Sequence, residues 1–236
     1  MLSSFSARVR LSLPLALLMA TAVSAVEIKQ FPAAAYQIET LPRSVSALAC
    51  AGSTTHAVTL QLKDRKGAWL DAAAPSIARL EGVAWSPHDP ARDGAGEFEV
   101  LISTARLLKD NALAGFVTVG NSNGSLLPNT ENALRRAVHM GVPVVRLARD
   151  GRVEANQADL FVAAGGLKPA DAERILANCL LRFGALPPAA NPARPTSAET
   201  AAIRAHLARY QEVFDLQSAA LFSAQPSEFS AMVAMR

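Results

Sequence analysis

The residues best suited to handle a small polar molecule are Gly120-Asn121-Ser122-Asn123-Gly124-Ser125. They follow the short apolar run Phe116 to Val119, which reads as a β-strand. Two glycines let the backbone come close to a ligand, and four short side chains supply amide and hydroxyl groups for hydrogen bonding. The same composition suits a strand-to-helix turn whose Asn and Ser residues do no more than cap the next helix. Both readings are open at this level. Elsewhere the chemistry is thin. His56, His88, His139 and His206 are scattered, with no cysteine or carboxylate at metal-ligand spacing, so no zinc site is expected. His139 falls beside Arg135 and Arg136 on the polar face of a helix and reads as a solvated surface residue. There is no Gly-x-Ser-x-Gly elbow, so no catalytic residue is assigned, and no cofactor is implied.

The elements around this turn alternate. Phe98 to Ser103 reads as a strand, Thr104 to Leu113 as a helix, Phe116 to Val119 as a strand and Asn129 to Met140 as a helix. Val142 to Leu147 and Leu160 to Ala164 read as strands, and Pro169 to Phe183 as a helix. Strands that are apolar on both faces and alternate with helices predict an α/β fold with a parallel sheet flanked by helices. In the last helix Ala172, Ile175, Leu176, Cys179, Leu180 and Phe183 recur at helical spacing, Pro169 suits the first turn and Gly184 the C-terminal cap. In such a sheet ligands collect beyond the carboxyl ends of the strands, which is where the turn after Val119 would lie. Upstream, residues 26–43 read as an arm interrupted by Pro32 and Pro42. Ser44 to Ala51 and His56 to Leu62 read as a strand pair, with Trp69 and Trp85 as core or rim residues. Trp85 to Gly96 reads as a turn-rich linker and Pro187 to Pro195 as a stiff proline-rich one. Thr196 with Glu199 forms a capping box that opens a final helix, whose stripe is Ile203, Leu207, Tyr210, Phe214 and Leu221.

The chain has 236 residues and a formal charge of +3. Arg8 and Arg10, the apolar run Leu11 to Thr21 and Val23-Ser24-Ala25 match a secretory signal peptide cleaved after Ala25. The apolar run is shorter than the ~20 residues needed to span a bilayer. Removing the two leader arginines leaves a net charge of +1 and no basic stripe, which gives nucleic-acid binding no support. A periplasmic or secreted location is therefore expected. Cys50 and Cys179 could bridge there, although Cys179 falls in an apolar helix stripe, where a free buried thiol is common.

Phe116 through Phe183 resembles the C-terminal domain of the bacterial L-asparaginases, the asparaginase/glutaminase family. Gly120-Asn121-Ser122-Asn123-Gly124-Ser125 looks like that family's Gly-x-Gly-Asn-Gly-Asn/Ser turn. Ala133-Leu134-Arg135-Arg136-Ala137, Gly141-Val142-Pro143-Val144-Val145-Arg146 and Arg149 resemble its Ala-Leu…Ala…Gly-x-x-Val-Val-Arg-x-x-Arg segment. Gly151-Arg152-Val153 and Phe161-Val162-Ala163-Ala164-Gly165-Gly166-Leu167-Lys168-Pro169 resemble its Gly-x-Val and Phe-x-Ala-x-Gly-x-Leu-x-Pro stretches. The resemblance implies a domain that packs against a partner subunit and lends polar groups to a neighbouring active site. It implies substrate-binding roles for Asn123 and Ser125, with Glu154 the nearest counterpart of a glutamate the family lends from the segment after the second arginine. Ser125 stands where many members carry Asn, and Asp171-Ala172-Glu173-Arg174 replaces the family's Lys-Ala-Arg.

The family's nucleophilic threonine, in a Thr-Gly-Gly-Thr turn, has no counterpart. The nearest string, Cys50-Ala51-Gly52-Ser53-Thr54, puts Ala51 in its place, and no Gly-Thr-Asp-Thr string exists. The sequence thus divides into a leader (1–25), a short N-terminal β-containing region (26–96), an asparaginase C-terminal-like domain (97–186), and a linker with a C-terminal helix (187–236). Residues 26–96 are too few for the family's catalytic domain. The expectation is an exported asparaginase-like protein, inactive alone. Its expected partners are a second copy or an asparaginase-family subunit, with a small amide or amino acid as ligand, and no membrane once the leader is removed. The alternative is an exported interaction or small-amide-binding module.

Overall fold

The computed structural model describes residues 26–32, 36–51, 54–81, 90–149 and 160–224. The leader, His88, Glu154 and the Gly151-Arg152-Val153 stretch lie outside the described residues. Within them the chain forms β1 (Glu27–Gln30), β2 (Ser44–Ala51), β3 (Thr54–Gln61), β4 (Ser76–Leu80) and α1 (Pro90–Asp110). These are followed by β5 (Ala114–Val119), α2 (Pro128–His139), β6 (Val144–Leu147), β7 (Val162–Ala163), α3 (Pro169–Phe183) and α4 (Ser197–Ala224). The protein is α/β. Five strands form one sheet in the order β1-β4-β5-β6-β7, flanked by helices, while β2 and β3 form a separate antiparallel pair.

The central strands are parallel, with Ala78 opposite Phe116, Phe116 opposite Val144 and Val145 opposite Val162. β5 is Ala-Gly-Phe-Val-Thr-Val and is buried along nearly its whole length, as a strand covered on both faces requires. α1 and α2 pack against each other. α3 packs on β4 and β5, and the Leu176 side chain lies against Gly115. No helix among the described residues is long and apolar enough to cross a membrane.

Two expectations from the sequence are overturned. Phe98 to Ser103 is not a strand, and the helix expected from Thr104 begins much earlier, because α1 runs unbroken from Pro90 to Asp110. Val100, Thr104, Leu107 and Leu108 are buried, at spacings of four, three and one, while Phe98 and Leu101 face outward. That is one stripe of a helix and not the alternation of a strand. The part of the Trp85 to Gly96 linker that is described, from Pro90 onward, belongs to the same helix, and residue 96 falls inside it. The parallel strand expected at Phe98 is supplied by Ser76 to Leu80. The expected arm contributes β1, which adds antiparallel to β4.

Three features tie the periphery down. Glu173 is almost fully buried and lies 3.4 Å from both Lys29 and Arg79, joining α3 to β1 and β4. Gly184 ends α3 at φ 79°, and any Cβ there would sit 2.4 Å from the Ser46 carbonyl oxygen. The proline-rich stretch beyond it is pinned down: the N–H groups of Ala185, Leu186 and Ala189 donate to the carbonyls of Ser46, Gly141 and His139.

The capping box forms as read, with the Glu199 N–H donating to Thr196 Oγ1 and the Thr196 N–H to Glu199 Oε2. Hydrogen bonds from the N–H of Ala190, the N–H of Thr196 and the Thr196 hydroxyl hold the Glu199 carboxyl at about 2. α4 then packs on α3 and β7 of its own chain through Ile203, Leu207, Tyr210 and Phe214, all buried; the Leu221 side chain lies outside the described set. At about 1.5–3 kcal/mol per side chain, this burial outweighs the weak stability of an isolated helix. The Tyr210 hydroxyl donates to the Gly184 carbonyl. Gln211 acts like a neighbouring strand: its Oε1 accepts from Ala163 N at 2.9 Å and its Nε2 donates to Ala163 O at 3.0 Å. The outer edge of β7 is thereby closed.

Candidate functional site

The turn Gly120 to Ser125 leaves the carboxyl end of β5, between β4 and β6 in the sheet. Gly120 N–H donates to Leu147 O at 2.8 Å, extending the pairing with β6 one residue past the strand. A Cβ on Gly120 would lie 2.3 Å from the Gly124 carbonyl, so the two backbones approach as only glycine permits. Asn121 staples the loop. Its Oδ1 accepts from the N–H groups of Asn123 and Ser125 at 3.1 and 2.9 Å, and its carbonyl accepts from Gly124 N and Arg149 N, both at 3.0 Å. Asn123 Oδ1 in turn accepts from the Ser125 hydroxyl at 2.7 Å and the Ser125 N–H at 3.1 Å.

The consequence is a preformed turn whose exposed residues are Ser122 and Asn123. The Oδ1 and the backbone of Asn121 are engaged in holding the loop. Asn123 is exposed, and its Nδ2 has no partner among the described residues, so it offers two N–H donors to solvent or to a carbonyl or carboxylate ligand. The turn's side chains do not cap α2. The N-cap position of that helix is Leu127, which makes no side-chain cap. Its first N–H groups are satisfied by Asp93 of α1, whose carboxylate accepts from Asn129 N at 2.9 and 3.1 Å and from Thr130 N at 3.1 Å. The anion site that a helix N-terminus offers is therefore filled by the chain's own carboxylate, and a phosphate would have to displace it.

Beside the turn, Ser125, Leu126, Pro128, Glu131 and Asn132 line a shallow cleft of about 370 Å³. Its carboxylate is already engaged: Glu131 lies 2.7 Å from Arg135 and 3.2 Å from Arg146. Both guanidinium groups rest on the Phe161 ring, 4.5 Å (Arg146) and 5.1 Å (Arg135) from its centre. Arg146 thus links β6 to α2 and to the segment leading into β7, and Arg149 enters the turn through its backbone.

Of the expected binding residues, Asn123 and Ser125 are side by side, and Glu154 lies outside the described residues. Sequence reasoning passed over Asp93, since it sits in a Gly- and Pro-rich stretch and meets α2 only through the packing of two helices. It also passed over Glu131, where the Glu131–Arg135 spacing of four on a helix was the available signal.

Burial pushes the His139 and His206 imidazoles below the usual 6.5; His139 is half-buried and not the solvated surface residue expected from its helix face, and both sit where the 184–196 segment and α4 meet the sheet domain. Cys50 and Cys179 are free, Cys50 exposed and Cys179 buried, its thiol pushed up to about 12 by burial. No group of three His, Cys, Asp or Glu residues that could hold a metal ion occurs among the described residues. No family model, curated protein or solved structure matches the chain.

Proposed function

We propose that this chain is an exported relative of L-asparaginase that keeps the family's C-terminal domain and does not hydrolyse asparagine by itself. The observation that carries the reading is the turn itself: a glycine-bracketed loop beyond the carboxyl end of a parallel strand, held by Asn121 and presenting Asn123 and Ser125. The order of the matching segments along β5, α2, β6, β7 and α3 supports the same reading. In it, Asn123 and Ser125, with Glu154, position an amide or carboxylate for an active site completed by a second copy or by an asparaginase-family subunit. The attacking hydroxyl comes from elsewhere, because no threonine here stands in the family's nucleophile motif.

The test is ammonia release from asparagine and glutamine by the chain from Val26 onward, with and without a complete family member. Alone it should stay below ~1 s⁻¹, the range of working enzymes. Positioning groups without a nucleophile leave on the order of 10³–10⁴ over water. Enzyme-like turnover that disappears in Thr54→Ala or Thr55→Ala would overturn the reading. The outward Nδ2 of Asn123 favours a second reading, a small-amide or amino-acid binder, which thermal stabilisation by asparagine or aspartate would distinguish.

A further inference from the structure

A groove of about 820 Å³ opens at the end of the sheet away from the turn, against residues that precede β5 and β6, including Ala112 and Met140. β2 is one wall. Leu48 N–H donates to Ala112 O at 2.9 Å and Ser46 O accepts from Ala185 N at 2.8 Å, so the even-numbered residues of β2 turn their backbone groups away from β3. The Ser46 carbonyl is engaged by this contact, although the residue itself is exposed. Further along the same edge, the Leu48 carbonyl and the Cys50 N–H have no backbone partner among the described residues. α1 is the other wall, with Leu108 buried and Leu101 exposed, and Phe98, 63% exposed, continues the apolar surface one turn earlier. Lys109 and Arg136 stand exposed in the lining and form no ion pair among the described residues. Asp110 is the one carboxylate there, which leaves an excess of one positive charge.

An open strand edge, an apolar floor and surplus positive charge are together what an extended peptide needs: main-chain hydrogen bonds for affinity, a pocket for alternate side chains, and cations to select an acidic partner. A second copy meets these conditions poorly. Pairing β2 with β2 about a twofold would bring Lys109 and Arg136 of both chains together.

We propose that this groove takes up an extended acidic segment of a partner protein. The segment adds to the edge of β2 between Leu48 and Cys50 and sets an apolar side chain against Leu101, Leu108 and Met140. The interaction is independent of the asparaginase-like reading, since it uses the opposite end of the sheet.

The probe is a fluorescein-labelled acetyl-Glu-Val-Leu-Val-Glu-amide, titrated by anisotropy against the chain from Val26 onward. Two controls alter only the peptide: Gln in place of both Glu, and N-methylation of alternate amides in each of the two registers. Bound peptide should slow alkylation of Cys50 at least about tenfold, because the thiol stands in the lining while Cys179 is buried. Lys109→Glu with Arg136→Glu, and separately the Gln peptide, should each weaken binding about tenfold. N-methylation should abolish binding in one register and spare it in the other. The proposal fails if the peptide does not bind below about 1 mM, if both N-methylated peptides bind unchanged, if Gln serves as well as Glu, or if Cys50 reacts at the same rate in the saturated complex.

Discussion

Replacing Asp93 with Ala should weaken the α1–α2 layer that supports the candidate turn. Asp93 is 8% exposed, and its carboxylate is the sole side-chain cap found for the first N–H groups of α2 among the described residues. Hydrogen bonds to a charged group contribute about 1.5–3 kcal/mol, and a negative charge at a helix N-terminus adds about 0.3–1 kcal/mol. Burying the carboxylate offsets part of this, so a net loss of about 2–3 kcal/mol is expected for Asp93→Ala. Asp93→Asn keeps one acceptor oxygen but no charge and should lose about 1 kcal/mol. In urea denaturation followed by circular dichroism, the midpoint should fall with an unchanged slope. In a chain of this size the melting temperature should drop by roughly 4–12 °C. Amide exchange should quicken at Asn129 and Thr130 but not at Gly124, whose bond to Asn121 lies within the turn. An Ala variant within about 0.5 kcal/mol of the parent, the range of an inconsequential surface change, would refute the cap. Equal losses in Asn and Ala would refute the hydrogen-bonding share of it.

Leu176→Asp should abolish folding, because an unpaired charge would replace a fully buried side chain lying against Gly115; a soluble, cooperatively melting variant would contradict the packing of α3. Gln211→Ala should speed amide exchange at Ala163 and cost about 1–3 kcal/mol, and unchanged exchange there would show that α4 does not close the β7 edge. Burial holds His139 and His206 below 6.5, so the folded chain binds fewer protons than the unfolded one. Their contribution should be complete above that value and decline as pH falls through 6.5 toward the lowered native values. His139→Gln with His206→Gln should flatten the dependence of melting temperature on pH between about 7.5 and 5.5, and an unaltered slope would disprove the assignment.

What the sequence determined by itself was whatever local pattern can determine. The strand pair β2–β3, the apolar runs of β5 and β6, α3 with its proline start and glycine end, and the Thr196–Glu199 box were legible because each rests on residues a few positions apart. The turn at Gly120 was legible as a strand-to-helix connection rich in glycine and amide side chains. The residues Phe98 to Ser103 were misread because a short apolar run fits either period. The choice fell to the sheet, whose place beside β5 is filled by Ser76 to Leu80, leaving Val100, Thr104, Leu107 and Leu108 to be buried as a helix stripe. Only the tertiary structure could decide that Asp93 caps α2, that Glu173 ties α3 to β1 and β4, and that Gln211 seals β7. Each of these joins residues 36 or more positions apart, and such contacts come from the packing of whole elements, which sequence periodicity does not encode.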